Sequence, residues 1–298
     1  MKFILKKLKQ NYSIKNYRFS LIALVLVLSL IGILMVRSAS PDLTSRQIMG
    51  VGLGVAAMVV ISLIDYKWVL NLYWPLYILN LILLLAVPFS PLGWASHGAK
   101  RWLNLGFTQF QPSDLTKILM ILFFARFFMD KENKMKEPKT IIQAIALILP
   151  SLILIVSQPN LSTTLCIAAL FCVLLYLAGL SNKIVGTVLA VTIPAAVLFL
   201  VIAVQPNQPL LRDYQQTRIL AWLEPEEYAT TESFQQLNSL RAIGSGELSG
   251  KGYDNDDPTS VKNSNYLSEA QTDFIFAIIG EELGFVGCCV VIFLILLI

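Results

Sequence analysis

Eight apolar runs constrain this chain more than any other feature of its sequence. Most have roughly the 20 residues that an α-helix needs to cross a bilayer. Charged residues make up only 14% of the 298 residues, against about 25% in soluble domains. We therefore predict an all-α, polytopic transmembrane helix bundle, forming a single domain over residues 1–298. The predicted spans are Phe19–Val36, Ile48–Ile64, Leu70–Pro88, Leu115–Phe128, Ile141–Val156, Thr163–Leu180, Ile184–Val204 and Phe274–Ile298.

The basic residues predict how the bundle is oriented. Residues 1–18 carry six basic residues and no acid, and residues 131–139 carry four lysines. Because Lys and Arg concentrate in cytoplasmic loops, both segments are predicted to be cytoplasmic. The long polar connection, residues 205–268, is then extracytoplasmic. Its length suggests a functional segment.

The two ends of the chain need separate interpretation. A cleaved signal peptide is the alternative for the first run, since small residues follow it at 38–40. Further spans come directly afterwards, which favours a retained helix. The last run stops at Ile298 with no basic residue behind it, so we expect the chain to be part of a longer protein.

Several kinds of chemistry are disfavoured. His97 is the only histidine, so a histidine triad or zinc site is not expected. The four cysteines lie within apolar runs at spacings that match no metal site. No phosphate-binding loop or dinucleotide-binding fingerprint occurs.

Two polar stretches lie before and at the start of the fourth run. Lys100, Arg101 and Trp102 form a basic and aromatic patch, which an interfacial anchor would also explain. Asp114 and Lys117 are three residues apart at a helix start, within pairing distance. An acid that complements the helix dipole is an equally good explanation of Asp114. Ser113 is the predicted capping hydroxyl.

The long connection contains two further candidates, Arg218 and Lys251. Lys251 lies in a glycine-rich stretch, residues 242–252, whose backbone amides could approach an anion closely. A flexible loop is the usual explanation of such a stretch.

Asp273 stands where the last run begins. With Ala277, Gly280, Gly284 and Gly287 it follows helical spacing, and small residues on one stripe indicate close packing between membrane helices. We predict that Asp273 points into the bundle at its outer mouth, and not at lipid, where an ionisable residue is a functional candidate. Helix capping or packing explains Glu281 and Glu282, which lie beyond it.

Taken together, these stretches resemble the SEDS family, the shape, elongation, division and sporulation proteins that include RodA, FtsW and SpoVE. The family's motifs are similar to GAKRW at 98–102, FQPSD at 110–114, QPNLST at 158–163, AIGSGELSGKG at 242–252 and TDFIFA at 272–277. Family members have ten spans, so the resemblance implies that two are missing here.

The resemblance implies a peptidoglycan glycosyltransferase in the bacterial cell membrane. Such proteins polymerise lipid II, a disaccharide peptide on a lipid pyrophosphate, and work with a class B penicillin-binding protein. Membrane lipids are expected partners and nucleic acid is not. The family's catalytic aspartate corresponds to Asp273. Substrate-binding roles are predicted for Lys100, Arg101, Trp102, Asp114, Lys117, Arg218 and Lys251. Elongation, division and sporulation members cannot be separated.

The sequence departs from the family pattern at several positions. Asp114 replaces a glutamate, Asn160 an aspartate and Glu247 a glycine, while Ser268 and Gln271 replace proline and histidine. These departures weaken the transfer of every site except Asp273.

Three functions remain open on this basis. In an inverting glycosyltransferase, cations would stabilise the leaving pyrophosphate and Asp273 would act as the base. A divalent cation, Mg²⁺ or Mn²⁺, can help neutralise pyrophosphate, although the sequence shows no dedicated ligand set. A lipid II flippase should carry polar residues deep in its spans, which this chain mostly lacks. A non-catalytic scaffold for the penicillin-binding protein is the third possibility.

Overall fold

The computed structural model describes residues 18–96, 99–104, 106, 109–135, 137–206, 208, 211, 213–231, 233–258, 260–264 and 266–298. Most of the predicted cytoplasmic N-terminus, residues 1–17, therefore lies outside the described residues. The chain divides into two compact units, one formed by residues 64–197 and the other by residues 1–63 with 198–298. The prediction of a single domain stays a prediction.

The unit of residues 64–197 is a helix bundle around an aromatic core. Phe123 and Phe124 are fully buried at its centre, and Phe124 contacts Phe171 at a ring-centroid distance of 4.8 Å. Helix α8 begins in this unit and ends in the other. The helices are α3 (Tyr66–Asn71), α4 (Tyr73–Phe89), α5 (Pro112–Asp130), α6 (Pro138–Ser157), α7 (Leu161–Leu177) and α8 (Asn182–Ala203).

A small antiparallel sheet joins α4 to α5, where the sequence predicted only an interfacial patch. Its strands are β1 (Gly93–Ser96), β2 (Ala99–Asn104) and β3 (Gln109–Phe110), in the order β1-β2-β3. Arg101 and Trp102 lie on the central strand β2. The sheet therefore holds the predicted patch on an ordered scaffold.

The other unit packs its first and last helices together. Its helices before residue 64 are α1 (Phe19–Ala39) and α2 (Thr44–Ser62). Its helices after residue 197 are α9 (Asp213–Leu223), α10 (Phe234–Ser245) and α11 (Ile275–Leu297). Met35 of α1 packs in one buried cluster with Ile279 and Val291 of α11. The predicted long connection thus contains two helices, α9 and α10.

Seven of the eight predicted spans each coincide largely with one helix, and the third, Leu70–Pro88, covers the end of α3 and most of α4. This confirms the all-α architecture. In the described part of the chain, five helices are long and apolar enough to cross a membrane, and α4 and α7 are apolar but shorter. Helix α5 carries four charged residues, arranged as two pairs along the helix itself. These pairs are Asp114–Lys117 at 2.9 Å and Arg126–Asp130 at 3.2 Å.

Helix α11 is interrupted at Gly284. The backbone there has φ 63° and ψ −165°, a conformation open essentially to glycine alone. Within a membrane span, irregular backbone is tolerated only where other protein groups satisfy it. The interruption therefore requires a partner segment.

Candidate functional site

The partner of the interrupted helix is the glycine-rich stretch. In a regular helix the amides of Phe285 and Val286 would bond to the carbonyls of Glu281 and Glu282. Here Phe285 and Val286 instead donate to the carbonyls of Glu247 and Leu248, at 2.9 and 3.2 Å. The carbonyls of Glu281 and Glu282 accept from the amides of Lys251 and Gly252, at 2.9 and 3.1 Å. We call this pairing of residues 246–252 with 280–286 the clasp.

Glycine is required in the clasp because two backbones touch. A Cβ on Gly246 would overlap the Gly280 carbonyl, and one on Gly250 would overlap the Glu282 carbonyl. A Cβ on Gly284 would overlap the Gly250 amide in turn. The interpretation of this stretch as an anion-binding loop is therefore wrong for the amides of Lys251 and Gly252, which are bonded to α11.

Two buried ion pairs reinforce the clasp. The Lys251 ammonium lies 2.7 Å from Glu281 Oε1, and the Lys262 ammonium lies 3.0 Å from Glu282 Oε1. Glu281 and Glu282 are only 1% and 3% exposed. The packing role suggested for these two glutamates agrees with their burial. Lys251 is thus paired with a carboxylate of the protein, and its substrate-binding role stays a prediction.

Lys262 connects three segments of the chain. Its ammonium also donates to Ser38 Oγ of α1 at 3.0 Å and lies 3.3 Å from Asp254 Oδ1. Burial by itself would lower the pKa of Lys262. The hydrogen bonds and charges of Glu282 and Asp254 outweigh burial and raise that pKa above its usual 10.5. Lys262 therefore remains an ammonium at physiological pH.

Asp273 precedes α11 and does not lie on it. The helix begins at Ile275, and residues 271–274 form a turn in which the Asp273 side chain is exposed. The stripe prediction is confirmed for Ala277, Gly280 and Gly284, which are buried, and is wrong for Asp273. The reason is that Phe274 adopts φ −117° and ψ 22°, outside the helical range.

The turn before α11 is ordered by Glu269. Its carbonyl accepts from the amides of Thr272 at 3.1 Å and Phe274 at 3.4 Å. Its carboxylate accepts from the Gln271 side chain at 3.1 Å. The departure at Gln271 therefore supplies a donor that helps to hold the turn carrying Asp273.

The predicted basic patch is bound to nearby backbone carbonyls. Arg101 Nε donates to the Gln158 carbonyl at 3.2 Å, and the same guanidinium donates to Pro159. Lys100 Nζ donates to the Pro88 carbonyl at 3.2 Å. Trp102 pairs with Trp94 across β1 and β2. These contacts give Arg101 a structural role in tying the sheet to the turn between α6 and α7.

The Asp114–Lys117 pair forms as predicted, with side chains 57% and 36% exposed. An ion pair so accessible to solvent contributes little stability. The same exposure leaves both groups accessible to a ligand.

The prediction that Ser113 caps α5 is wrong, because Gln111 occupies the N-cap position and Ser113 is buried. Its hydroxyl accepts from Asn160, at 3.4 Å. Asn160 also caps α7, accepting from the Thr163 amide at 3.4 Å.

The structure groups the predicted residues into two sets. Asp273, Arg218 and Lys251 belong to one compact unit, and Lys100, Arg101, Trp102, Asp114 and Lys117 belong to the other. Arg218 is exposed on α9. Among the described residues, no three His, Cys, Asp or Glu side chains are placed to hold a metal ion. The divalent cation stays a prediction.

Sequence reasoning missed Lys262 and undervalued Glu281 and Glu282. The sequence did contain one signal, which is that Glu281 and Glu282 are adjacent carboxylates inside an apolar run. Carboxylates can be buried there only if cations or hydrogen-bond donors pair with them. Only the three-dimensional structure shows which lysine of the long connection pairs with each glutamate.

Comparison with known proteins identifies the family. Residues 13–298 match the model of the FTSW_RODA_SPOVE family, described as cell cycle proteins. The chain belongs to this family and is a multi-pass membrane protein.

Named relatives and solved structures agree with that assignment. The chain is 33% identical over 284 residues to peptidoglycan glycosyltransferase MrdB of Escherichia coli, covering 93% of this chain and 72% of that one. It is 31% identical over 290 residues to a probable peptidoglycan glycosyltransferase FtsW of Geobacter metallireducens, covering 93% and 74%. A chain in a solved peptidoglycan synthase complex is 27% identical, with TM-score 0.72 over 95% of this chain and 76% of that one. Rod shape determining protein RodA of Thermus thermophilus, 23% identical, shares the fold with TM-score 0.60, covering 95% and 72%.

Proposed function

We propose that this protein is a peptidoglycan glycosyltransferase that polymerises lipid II into glycan strands in the bacterial cell membrane. The observation that carries the proposal is family membership over residues 13–298, together with 33% identity to a peptidoglycan glycosyltransferase across most of the chain. The exposed carboxylate of Asp273, in an ordered turn just before the partly buried helix α11, supports the same reaction.

The proposed reaction is an inverting transfer from a lipid pyrophosphate donor. The acceptor hydroxyl oxygen forms a bond to the anomeric carbon as the bond from that carbon to the pyrophosphate oxygen breaks. The hydroxyl proton passes to the Asp273 carboxylate, and the lipid pyrophosphate leaves with the electron pair. Because a carboxylate is a weak base, the proton moves during attack and not before it.

Cationic side chains stabilise the charge that develops on the leaving pyrophosphate. Arg218 is suited to this role, because it is exposed on α9 and belongs to the same compact unit as Asp273. The substrate-binding role of Lys117 stays a prediction. Lys100 and Arg101 would first have to exchange their carbonyl partners for phosphate oxygens. A class B penicillin-binding protein is the proposed partner, supported by the likeness to a chain of a peptidoglycan synthase complex.

The test is strand formation from purified lipid II by the complete protein with its penicillin-binding partner. Asp273→Asn keeps size and hydrogen bonding but removes basicity, so we expect a loss of about 10²–10⁴-fold. Asp256→Asn is the matched control, because Asp256 is also an exposed loop carboxylate of the same unit. We expect the control to polymerise at the parent rate.

Two results would contradict the proposal. Near-parental polymerisation by a folded Asp273→Asn protein would remove Asp273 as the base. If the parent protein moves lipid II across the membrane of proteoliposomes but forms no glycan strands, the flippase alternative is favoured.

A further inference from the structure

The clasp and the turn that carries Asp273 share one hydrophobic cluster. The Val261 amide donates to Glu281 Oε1 at 3.0 Å, and Lys262 is the next residue along the chain. The Val261 side chain packs against a cluster to which Leu267, Ala270 and Phe274 contribute. The buried ion pairs are therefore linked directly to the support behind Asp273.

Asp273 is not held in place by its own side chain. In the described part of the chain, no side-chain hydrogen bond reaches its carboxylate, which is exposed. Its position depends on the bonds to the Glu269 carbonyl and on the anchoring of Ala270 and Phe274 in the cluster. Any displacement of the cluster therefore displaces Asp273.

Two buried ion pairs are a poor means of gaining stability. The desolvation of buried charges often equals or exceeds their mutual attraction, and apolar replacements can be as stable. Such pairs are better suited to fixing one arrangement among several. Lys262 fits this role, since its acceptors Ser38, Asp254 and Glu282 lie on α1, on the loop and on α11.

We propose that Lys262, Glu281 and Glu282 are positioning residues that hold the clasp, Asp254 and Val261 so that the turn presents Asp273 in one place. The inference rests on the proposed function, because it assumes that Asp273 takes part in the reaction. Its consequence is kinetic: misplacing a reacting group by 1 Å can cost about 100-fold in rate. Substrate binding by cations elsewhere should change little.

The variant that tests this is Lys262→Met in the complete protein, assayed by strand formation from lipid II. We expect kcat to fall by about 10–100-fold, with KM almost unchanged. Lys262→Arg keeps the charge and the donors, so it should recover most of that loss. Lys183→Met is the matched control, because Lys183 is an exposed lysine distant in sequence from the clasp, and it should match the parent.

A readout that does not require activity is hydrogen exchange in the turn. The amides of Thr272 and Phe274 are bonded to the Glu269 carbonyl, and they should exchange about tenfold faster in Lys262→Met if the clasp holds the turn. Parental exchange in the turn together with parental kcat would overturn the inference. So would faster exchange in the turn with an unchanged kcat.

The same measurements separate the inference from the proposed function. If Asp273→Asn also polymerises at the parent rate, the assignment of the base is wrong and the positioning role in catalysis falls with it. Faster exchange in Lys262→Met would still show that the clasp orders the turn. If Asp273→Asn is inactive and Lys262→Met is not, only the positioning role is refuted.

Discussion

Gly284→Ala should destabilise the protein more than a single added methyl group normally would. The φ of 63° with ψ of −165° costs a non-glycine residue about 1–3 kcal/mol. The new Cβ would also overlap backbone atoms of Gly250 and Leu248, which cannot rotate away. Overpacking of this kind adds about 1–3 kcal/mol. The expected loss in free energy of unfolding is therefore about 2–6 kcal/mol.

The chain offers a matched control of opposite sign. Gly244 lies within α10, and a Cβ placed on it meets nothing within 4 Å. Gly244→Ala should stabilise the helix by about 0.5–1 kcal/mol, because alanine loses less backbone freedom on folding. Both variants can be measured by SDS titration of the protein in mixed micelles. If Gly284→Ala proves as stable as Gly244→Ala, the interrupted helix and the clasp are refuted.

Three further predictions use the same assays or simple labelling. Glu247 has φ 49°, so Glu247→Gly should raise the free energy of unfolding by about 1 kcal/mol; no gain would mean that this left-handed residue is not strained. Because the pKa of Lys262 is raised, its stabilising contribution is full below its usual pKa of 10.5 and is lost as pH rises through the raised value. The stability difference between the parent and Lys262→Met should therefore be constant between about pH 6 and 9 and shrink only in strong alkali. An impermeant thiol reagent on intact cells should label Asp256→Cys and spare Lys134→Cys, and the reverse pattern would invert the predicted topology.

Helix positions followed from the sequence because each span is apolar over most of its length. The start of α11 could not be predicted from the sequence, because the apolar run already includes Phe274. Nothing in that run indicates that the backbone of Phe274 is outside the helical range. Pairing of Asp114 with Lys117 was predictable, since three-residue spacing on a helix depends on local geometry alone. Pairing of Lys262 with Ser38 spans 224 positions along the chain, and no local pattern encodes such a contact.

The clasp also changes where an anionic substrate can be bound. The glycine-rich stretch and residues 280–284 looked like two independent motifs, yet each is the steric and hydrogen-bonding complement of the other. The glycines at 246, 250 and 284 are needed so that loop and helix backbones can touch. Since the amides of Lys251 and Gly252 are bonded to α11 carbonyls, neither can bind a phosphate without breaking the contact that covers the interrupted helix. The proposed pyrophosphate recognition therefore cannot use these two amides while the clasp is intact, and the proposal assigns it to cationic side chains.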